Sequence, residues 1–334
     1  MTRVGIIGAG AWGTALAIVL RRNGHEVLLW AYEREVAEAI NRDHANALYL
    51  PGIALDPAIR AADALPALAG SDLLLLAAPA QHLRAALKGL APHLGATVPL
   101  VICTKGIEQG TTALMSEILV EHLPRAPFAV LSGPSFAREV ALGLPTALTL
   151  ATRDAALGRS LIASLGSAAF RPYLSDDPVG AEIGGAVKNV LAIACGIVQG
   201  RKLGDNARAA LITRGLAEMA RLGLAKGARA ETFMGLSGLG DLTLTCNGAQ
   251  SRNFSLGRAL GEGRPLAAIL GERRSVAEGV TTAASVVALA ERLEVEMPIA
   301  RAVEAVLHQG AAIEASIEAL LARPFTHERL AARS

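Results

Sequence analysis

Cysteine is scarce in this chain: three among 334 residues, Cys103, Cys195 and Cys246. There is no C-x-x-C and no histidine at ligand spacing nearby, so neither a disulfide framework nor a metal site is expected. An excess of one charge is missing too, with 32 Lys+Arg against 30 Asp+Glu and a net charge of +2. That balance gives no reason to expect a nucleic-acid partner, and any bound anion must be met locally. Charged residues make up only 19% of the chain against 52% hydrophobic, which excludes a disordered polymer. Nor is a membrane-spanning helix expected, a span needing roughly 20 apolar residues. The densest strand-like run is Leu73 to Ala78, and the mean hydropathy of +0.39 owes much to alanine. The first residues enter a strand at once, leaving no room for a signal peptide. The cytoplasm is the expected compartment.

What is present begins at Val4. Val4-Gly5-Ile6-Ile7 reads as a strand, Gly8-x-Gly10-x-x-Gly13 as a glycine turn, and the apolar stretch from about Trp12 to Leu20 as a helix stopped by Asn23-Gly24. In that order, Gly8 permits a tight turn, Gly10 lets the backbone approach a pyrophosphate, and Gly13 lets helix and strand pack closely. The motif alone is weak, but the surrounding βαβ pattern points to a dinucleotide. Further strands are predicted at Glu26 to Trp30, Ser71 to Ala77, Pro99 to Cys103 and Phe128 to Leu131. The helices predicted between them run from Glu33 to Arg42, Thr112 to His122 and Ser135 to Leu142. Thr146 to Ala151 and Ala169 to Tyr173 are expected as edge strands around a helix from Asp154 to Leu165. Continuous apolar strands alternating with helices imply a parallel sheet covered on both faces.

From about residue 175 the pattern changes to helices alone, with Gly235 to Ser255 reading as a loop. The expected fold is therefore α/β: a Rossmann-type, doubly wound, mostly parallel sheet over residues 1–180 and an all-helical substrate domain over 181–334.

Several groups of residues carry candidate chemistry. At the end of the second strand, where an acid selects NAD and an arginine receives the 2′-phosphate of NADP, the chain offers Ala31-Tyr32-Glu33-Arg34, which contains both. Lys188 is the single charge between Ile183 and Gln199. Most helix lysines are solvated, but a lysine partly desolvated here could donate or accept a proton. Three glycines, Gly235, Gly238 and Gly240, precede Asp241, which suggests a tight loop bringing that acid close to something, although an Asp at a turn is the commoner reading. Ser251-Arg252-Asn253 sets a hydroxyl, a guanidinium and an amide side by side, donors that suit a phosphate but that often line a polar loop. Thr104-Lys105-Gly106 and Ser132-Gly133-Pro134-Ser135 each follow a predicted strand, the place where doubly wound sheets bind ligands.

Together with Gly185-Ala186-Val187-Lys188-Asn189, Ile212 to Met219 and Gly238-Leu239-Gly240-Asp241-Leu242, these blocks resemble bacterial NAD(P)-dependent glycerol-3-phosphate dehydrogenase from Val4 to about Pro298. The resemblance implies reversible reduction of dihydroxyacetone phosphate to sn-glycerol 3-phosphate, feeding phospholipid synthesis. It implies that Lys188 is the catalytic acid/base, with Asp241 as its partner. Lys105, Gly133, Ser135, Lys188, Asp241, Ser251, Arg252 and Asn253 match positions that contact substrate. Gly8, Gly10, Ala11, Trp12, Gly13, Tyr32, Lys105, Ala137, Arg252, Val276 and Glu278 match positions that contact NAD or NADP. Ala11 stands where serine is common and Tyr32 where a basic residue is common, so the cofactor preference is left open. No metal is implied, the partner is a small phosphorylated substrate, and a homodimer would suit the family. The competing expectations are a related two-domain dehydrogenase acting on a β-hydroxy acid or a sugar-acid phosphate, and a non-catalytic dinucleotide sensor.

Overall fold

The computed structural model describes residues 1–248, 250–272 and 277–324. The chain divides into two compact units, residues 1–105 with 114–178, and residues 106–113 with 179 onward. The second unit thus takes in residues 106–113, which lie in the sequence between two elements of the first.

The first unit is built on eight strands: β1 (Arg3–Ile7), β2 (Glu26–Trp30), β3 (Arg60–Ala62), β4 (Leu73–Leu76), β5 (Leu100–Ile102), β6 (Phe128–Ser132), β7 (Thr146–Ala151) and β8 (Phe170–Ser175). They form one sheet in the order β3-β2-β1-β4-β5-β6-β7-β8, parallel except where β7 pairs antiparallel with β6. The doubly wound, mostly parallel sheet expected from the sequence is present. Val4, Ile6, Ile7, Leu74, Leu75, Leu76, Leu100, Val101 and Ile102 are all fully buried, as strands covered on both faces must be. β7 is an interior strand, because β8 pairs along its whole length and takes the edge. The short strand β3 was not expected, since Arg-Ala-Ala carries no apolar alternation.

The strand order reverses at β1, which is flanked by β2 and β4. Doubly wound sheets bind ligands at such a switch point, outside the carboxyl ends of the strands. The glycine turn follows β1 there. Gly8 has φ +113°, which side chains rarely adopt, and a Cβ on it would meet the Ala78 backbone at 2.7 Å.

The second unit is helical, as expected. Its central helix, Pro178–Gly200, is long and apolar enough to cross a membrane, yet its apolar 18-residue stretch lies wholly buried inside the protein. Its backbone is in close contact with helix Arg252–Gly261: a Cβ on Gly257 would lie 2.0 Å from the Ile193 carbonyl oxygen. The expectation of a loop over Gly235 to Ser255 is overturned. Leu236–Gly240 is a π-type turn, closed by Gly240 N–H donating to Gly235 O at 3.1 Å, and helices Asp241–Asn247 and Arg252–Gly261 follow. The glycines that read as loop residues are there for close packing. A Cβ on Gly238 would lie 2.2 Å from Phe233 O, and one on Gly184 would lie 2.2 Å from Ser237 O. Helices Asp205–Ala225, Glu278–Arg292, Pro298–His308 and Ile313–Leu321 complete the main packing. The three cysteines are buried and unbridged.

Candidate functional site

In the first unit the residues assigned to the cofactor gather around the glycine turn. Helix Ala11–Arg22 starts with Ala11, Trp12 and Gly13, and its N-cap, Gly10, supplies no side-chain partner for the first-turn N–H groups. A Cβ at Gly10 would meet nothing within 4 Å, so the backbone lies open on that side. A Cβ at Gly13 would collide with Gly8 O at 1.9 Å, which explains why the helix can approach β1 only with glycine there. The Trp12 indole nitrogen is buried without a hydrogen-bond partner among the described residues. An open glycine backbone, uncapped helix N–H groups and an unspent buried donor fit the pyrophosphate of a dinucleotide.

Asn46, which belongs to no recognisable motif, tightens this turn from outside. Its Nδ2 donates to Ala9 O at 2.7 Å and to Thr14 Oγ1 at 2.9 Å, and the residue is 2% exposed. Tyr32, beyond the end of β2, is 81% exposed and meets Trp30 edge to face at 6.3 Å.

The loops after β5 and β6 converge as their positions implied. Lys105 Nζ donates to Gly133 O at 3.0 Å, and Ser135 Oγ donates to the same carbonyl at 3.0 Å. Gly133 has φ +143°, and a Cβ there would press on Leu148 at 3.1 Å. Ala137 opens helix Ala137–Leu142 directly after this turn.

In the second unit Lys188 and Asp241 form a buried ion pair. Lys188 Nζ lies 2.5 Å from Asp241 Oδ1, with side-chain exposures of 10% and 0%. The two residues are 53 positions apart. The close seating of the π-type turn against Gly184 brings the start of helix Asp241–Asn247 beside the lysine one turn further along Pro178–Gly200. Lys188 Nζ also donates to Thr245 Oγ1 at 3.0 Å, while the Thr245 hydroxyl donates to Asp241 O at 2.7 Å. With its proton committed to the backbone, that hydroxyl presents a lone pair to the ammonium. Thr245 stands one helical turn after Asp241, a relation hidden while the segment read as loop. Two buried thiols lie alongside: a contact with Cys195, reinforced by burial, pushes the Cys246 thiol well above the ordinary cysteine range.

The three adjacent donors at 251–253 separate around the first turn of their helix. Ser251 is the N-cap and accepts from Phe254 N–H at 3.2 Å. Asn253 is buried, its Nδ2 donating to Asn189 Oδ1 at 2.9 Å and its Oδ1 accepting from Gly279 N–H at 3.0 Å. Arg252, between them, is exposed. Consecutive helix residues point about 100° apart, so side-by-side donors in sequence are not side by side in space. Asn253 thereby holds the first turn of helix Glu278–Arg292, whose first residue is Glu278. Val276 lies outside the described residues.

Among the described residues no cluster of three metal-ligating side chains occurs. A second buried acid lies apart from Lys188: Glu218 accepts from Ile299 N–H at 2.7 Å and Ala300 N–H at 3.2 Å, capping helix Pro298–His308. Burial pushes its carboxyl up to about 7, partly opposed by those two N–H groups.

Residues 3–158 match the profile described as NAD-dependent glycerol-3-phosphate dehydrogenase N-terminus, and residues 177–318 match that of its C-terminus. A glycerol-3-phosphate dehydrogenase [NAD(P)+] from Rhodospirillum rubrum is 60% identical over 97% of this chain and 93% of its own. The enzyme of the same name from Parvibaculum lavamentivorans is 56% identical over 98% of each. The crystal structure of glycerol-3-phosphate dehydrogenase from Coxiella burnetii superimposes with a TM-score of 0.93 at 41% identity, over 96% of this chain and 99% of its own. With both halves matched and full-length relatives this similar, the chain belongs to the NAD-dependent glycerol-3-phosphate dehydrogenase family.

Proposed function

We propose that the protein reversibly reduces dihydroxyacetone phosphate to sn-glycerol 3-phosphate with NADH or NADPH, and that Lys188 moves the proton. The observation that carries this reading is the buried Lys188 ammonium, fixed by Asp241 at 2.5 Å and Thr245 at 3.0 Å. The reduced nicotinamide, when bound in the first unit, supplies the hydride that the ketone carbon accepts. As negative charge grows on the carbonyl oxygen, the Lys188 ammonium donates a hydrogen bond to it and then its proton, leaving the alcohol and a neutral amine. Asp241 keeps the lysine protonated in a site where an unpaired ammonium would be costly. Thr245 turns one of the three ammonium protons into a fixed contact and so orients the others. In the oxidative direction the neutral amine takes the hydroxyl proton as general base.

Arg252 is the phosphate grip in this reading, exposed at the first turn of its helix, where a planar fork suits a phosphate. Ser251 and Asn253 act by shaping that turn. Binding energy drawn from the phosphate, remote from the carbonyl, orients the reacting carbon. Lys105, Gly133 and Ser135 are the residues of the first unit assigned to the substrate, and Glu278 is assigned to the cofactor. The product supplies the glycerol backbone of phospholipids; a homodimer is the assembly that suits the family, and the cytoplasm is the compartment expected from the sequence.

The test is a set of initial rates with dihydroxyacetone phosphate and NADH or NADPH in parallel, with 6-phosphogluconate and NAD(P)+ as the competing reaction. Turnover of dihydroxyacetone phosphate supports the reading, and its absence with both cofactors refutes it. Arg252→Ala should raise KM for dihydroxyacetone phosphate by about ten- to a hundredfold, the loss of a charge-assisted contact. If unphosphorylated dihydroxyacetone served as well as its phosphate, the grip would be misassigned.

A further inference from the structure

The end of β2 contains both an acid and a base, and the geometry around them separates their roles. Glu33 lies 20 residues after Gly13, the spacing at which an acid commonly accepts a hydrogen bond from the ribose 2′-OH of NAD and repels the 2′-phosphate of NADP. Here that carboxylate is already engaged: Tyr49 Oη donates to Glu33 Oε1 at 2.7 Å. The tyrosine is itself held in place. Its backbone N–H donates to Asn46 Oδ1 at 3.2 Å, and Asn46 is bonded to Ala9 O and Thr14 Oγ1, so the clamp is anchored on the glycine turn. The ring packs against the apolar core of the unit. Burial, with Glu33 beside it, pushes the phenol up to about 12, so it remains a donor throughout the working pH range. Arg34, the next residue, is by contrast exposed and ion-paired with Glu38 one turn on at 2.8 Å. An exposed pair of that kind is a weak contact that a phosphate can displace.

We propose that Tyr49 is a positioning residue that sets cofactor selectivity: by holding the Glu33 carboxylate it withdraws the acid that would reject a 2′-phosphate and leaves Arg34 to receive one. The proposal rests on the assignment of the glycine turn to a dinucleotide, and it makes the protein a user of NADPH at least as readily as NADH. The alternative geometry, in which Tyr49 aims Glu33 at the ribose, has the opposite sign in the experiment.

Calorimetric titration of the full-length protein with NADPH and with NADH, in the absence of substrate, reads the effect without turnover. Wild type should bind NADPH as tightly as NADH or more tightly. Tyr49→Phe, which frees the carboxylate while keeping the ring, should weaken NADPH about tenfold by like-charge repulsion and leave NADH within about twofold. Adding Glu33→Gln to that variant should return the NADPH-to-NADH ratio to within about twofold of wild type. In the wild-type background, where the acid is already withdrawn, Glu33→Gln alone should move the ratio by less than about twofold; this arm holds even if the Tyr49 variant fails to fold. Arg34→Ala should weaken NADPH alone. The proposal is overturned by an unchanged ratio in Tyr49→Phe, a shift toward NADPH in that variant, or a tenfold gain of NADPH binding in Glu33→Gln alone. Failure of both cofactors to bind wild type would instead refute the dinucleotide assignment beneath it.

Discussion

Replacing Asp241 by alanine would leave the Lys188 ammonium without its carboxylate in a pocket where the lysine side chain is 10% exposed. Thr245 Oγ1 at 3.0 Å would still accept one hydrogen bond, but a neutral hydroxyl does not offset the desolvation of a full charge. Breaking a buried pair from one side costs about 3–5 kcal/mol. For a cooperative unit of this size that corresponds to a fall in Tm of roughly 6 to 20 °C. The same reasoning gives the sign of the double variant. Lys188→Met with Asp241→Ala removes the stranded charge and fills the space with an apolar chain of similar length, and pairs replaced in this way are often as stable as the original. Scanning calorimetry on wild type, Asp241→Ala and the double variant at one pH is the assay. The expected order places the double variant above Asp241→Ala and near wild type. A single variant as stable as wild type, or a double variant no better than the single one, would show that the 2.5 Å contact is not a buried charge pair whose partners depend on each other.

Two further outcomes follow from the packing. Gly184→Ala would push a methyl to 2.2 Å from Ser237 O, and the turn from Leu236 to Gly240 leads straight into Asp241. We expect a loss of about 1–3 kcal/mol in stability, and a fall in kcat of about tenfold or more as the acid shifts from the lysine; wild-type kcat in this variant would contradict the positioning role of the turn. Glu218 offers a pH test. Its folded-state pKa of about 7 lies above the ordinary carboxylate value, so the stability it contributes is fully present below about 4.3 and is lost as pH rises through 7. The shift amounts to on the order of 3 kcal/mol across that window. Tm measured from pH 5 to 8 should therefore fall more steeply in wild type than in Glu218→Gln, and parallel slopes would refute the assignment.

Much of the architecture was legible because two periods dominate it. β2 and β7 fall on the residues anticipated, Glu26–Trp30 and Thr146–Ala151, and the long helix Pro178–Gly200 opens the stretch expected to be helical. Segments with weak periodic signals were not legible. β3 has three residues and no apolar alternation, and helices Asp241–Asn247 and Arg252–Gly261 were masked by glycines that mark close packing instead of turns. That masking also hid Thr245, whose place beside Lys188 depends on a helix the glycines argued against. Lys188 could be singled out as a lone charge in an apolar helix, and Asp241 as an acid after a glycine cluster. Their pairing could not be read, because no local pattern joins residues 53 positions apart. Asn46 and Tyr49 left no trace for a similar reason: their partners, Ala9, Thr14 and Glu33, come from different elements of the fold.

The central claim is that Lys188 moves the proton, and the most direct measurement is the turnover number of Lys188→Ala with dihydroxyacetone phosphate, set beside the Kd of the same variant for reduced cofactor. The account predicts a fall in kcat of about 10²- to 10⁴-fold, the usual contribution of a positioned acid, with cofactor affinity held within about twofold because Lys188 is not among the residues assigned to the dinucleotide. A kcat within about threefold of wild type would contradict it.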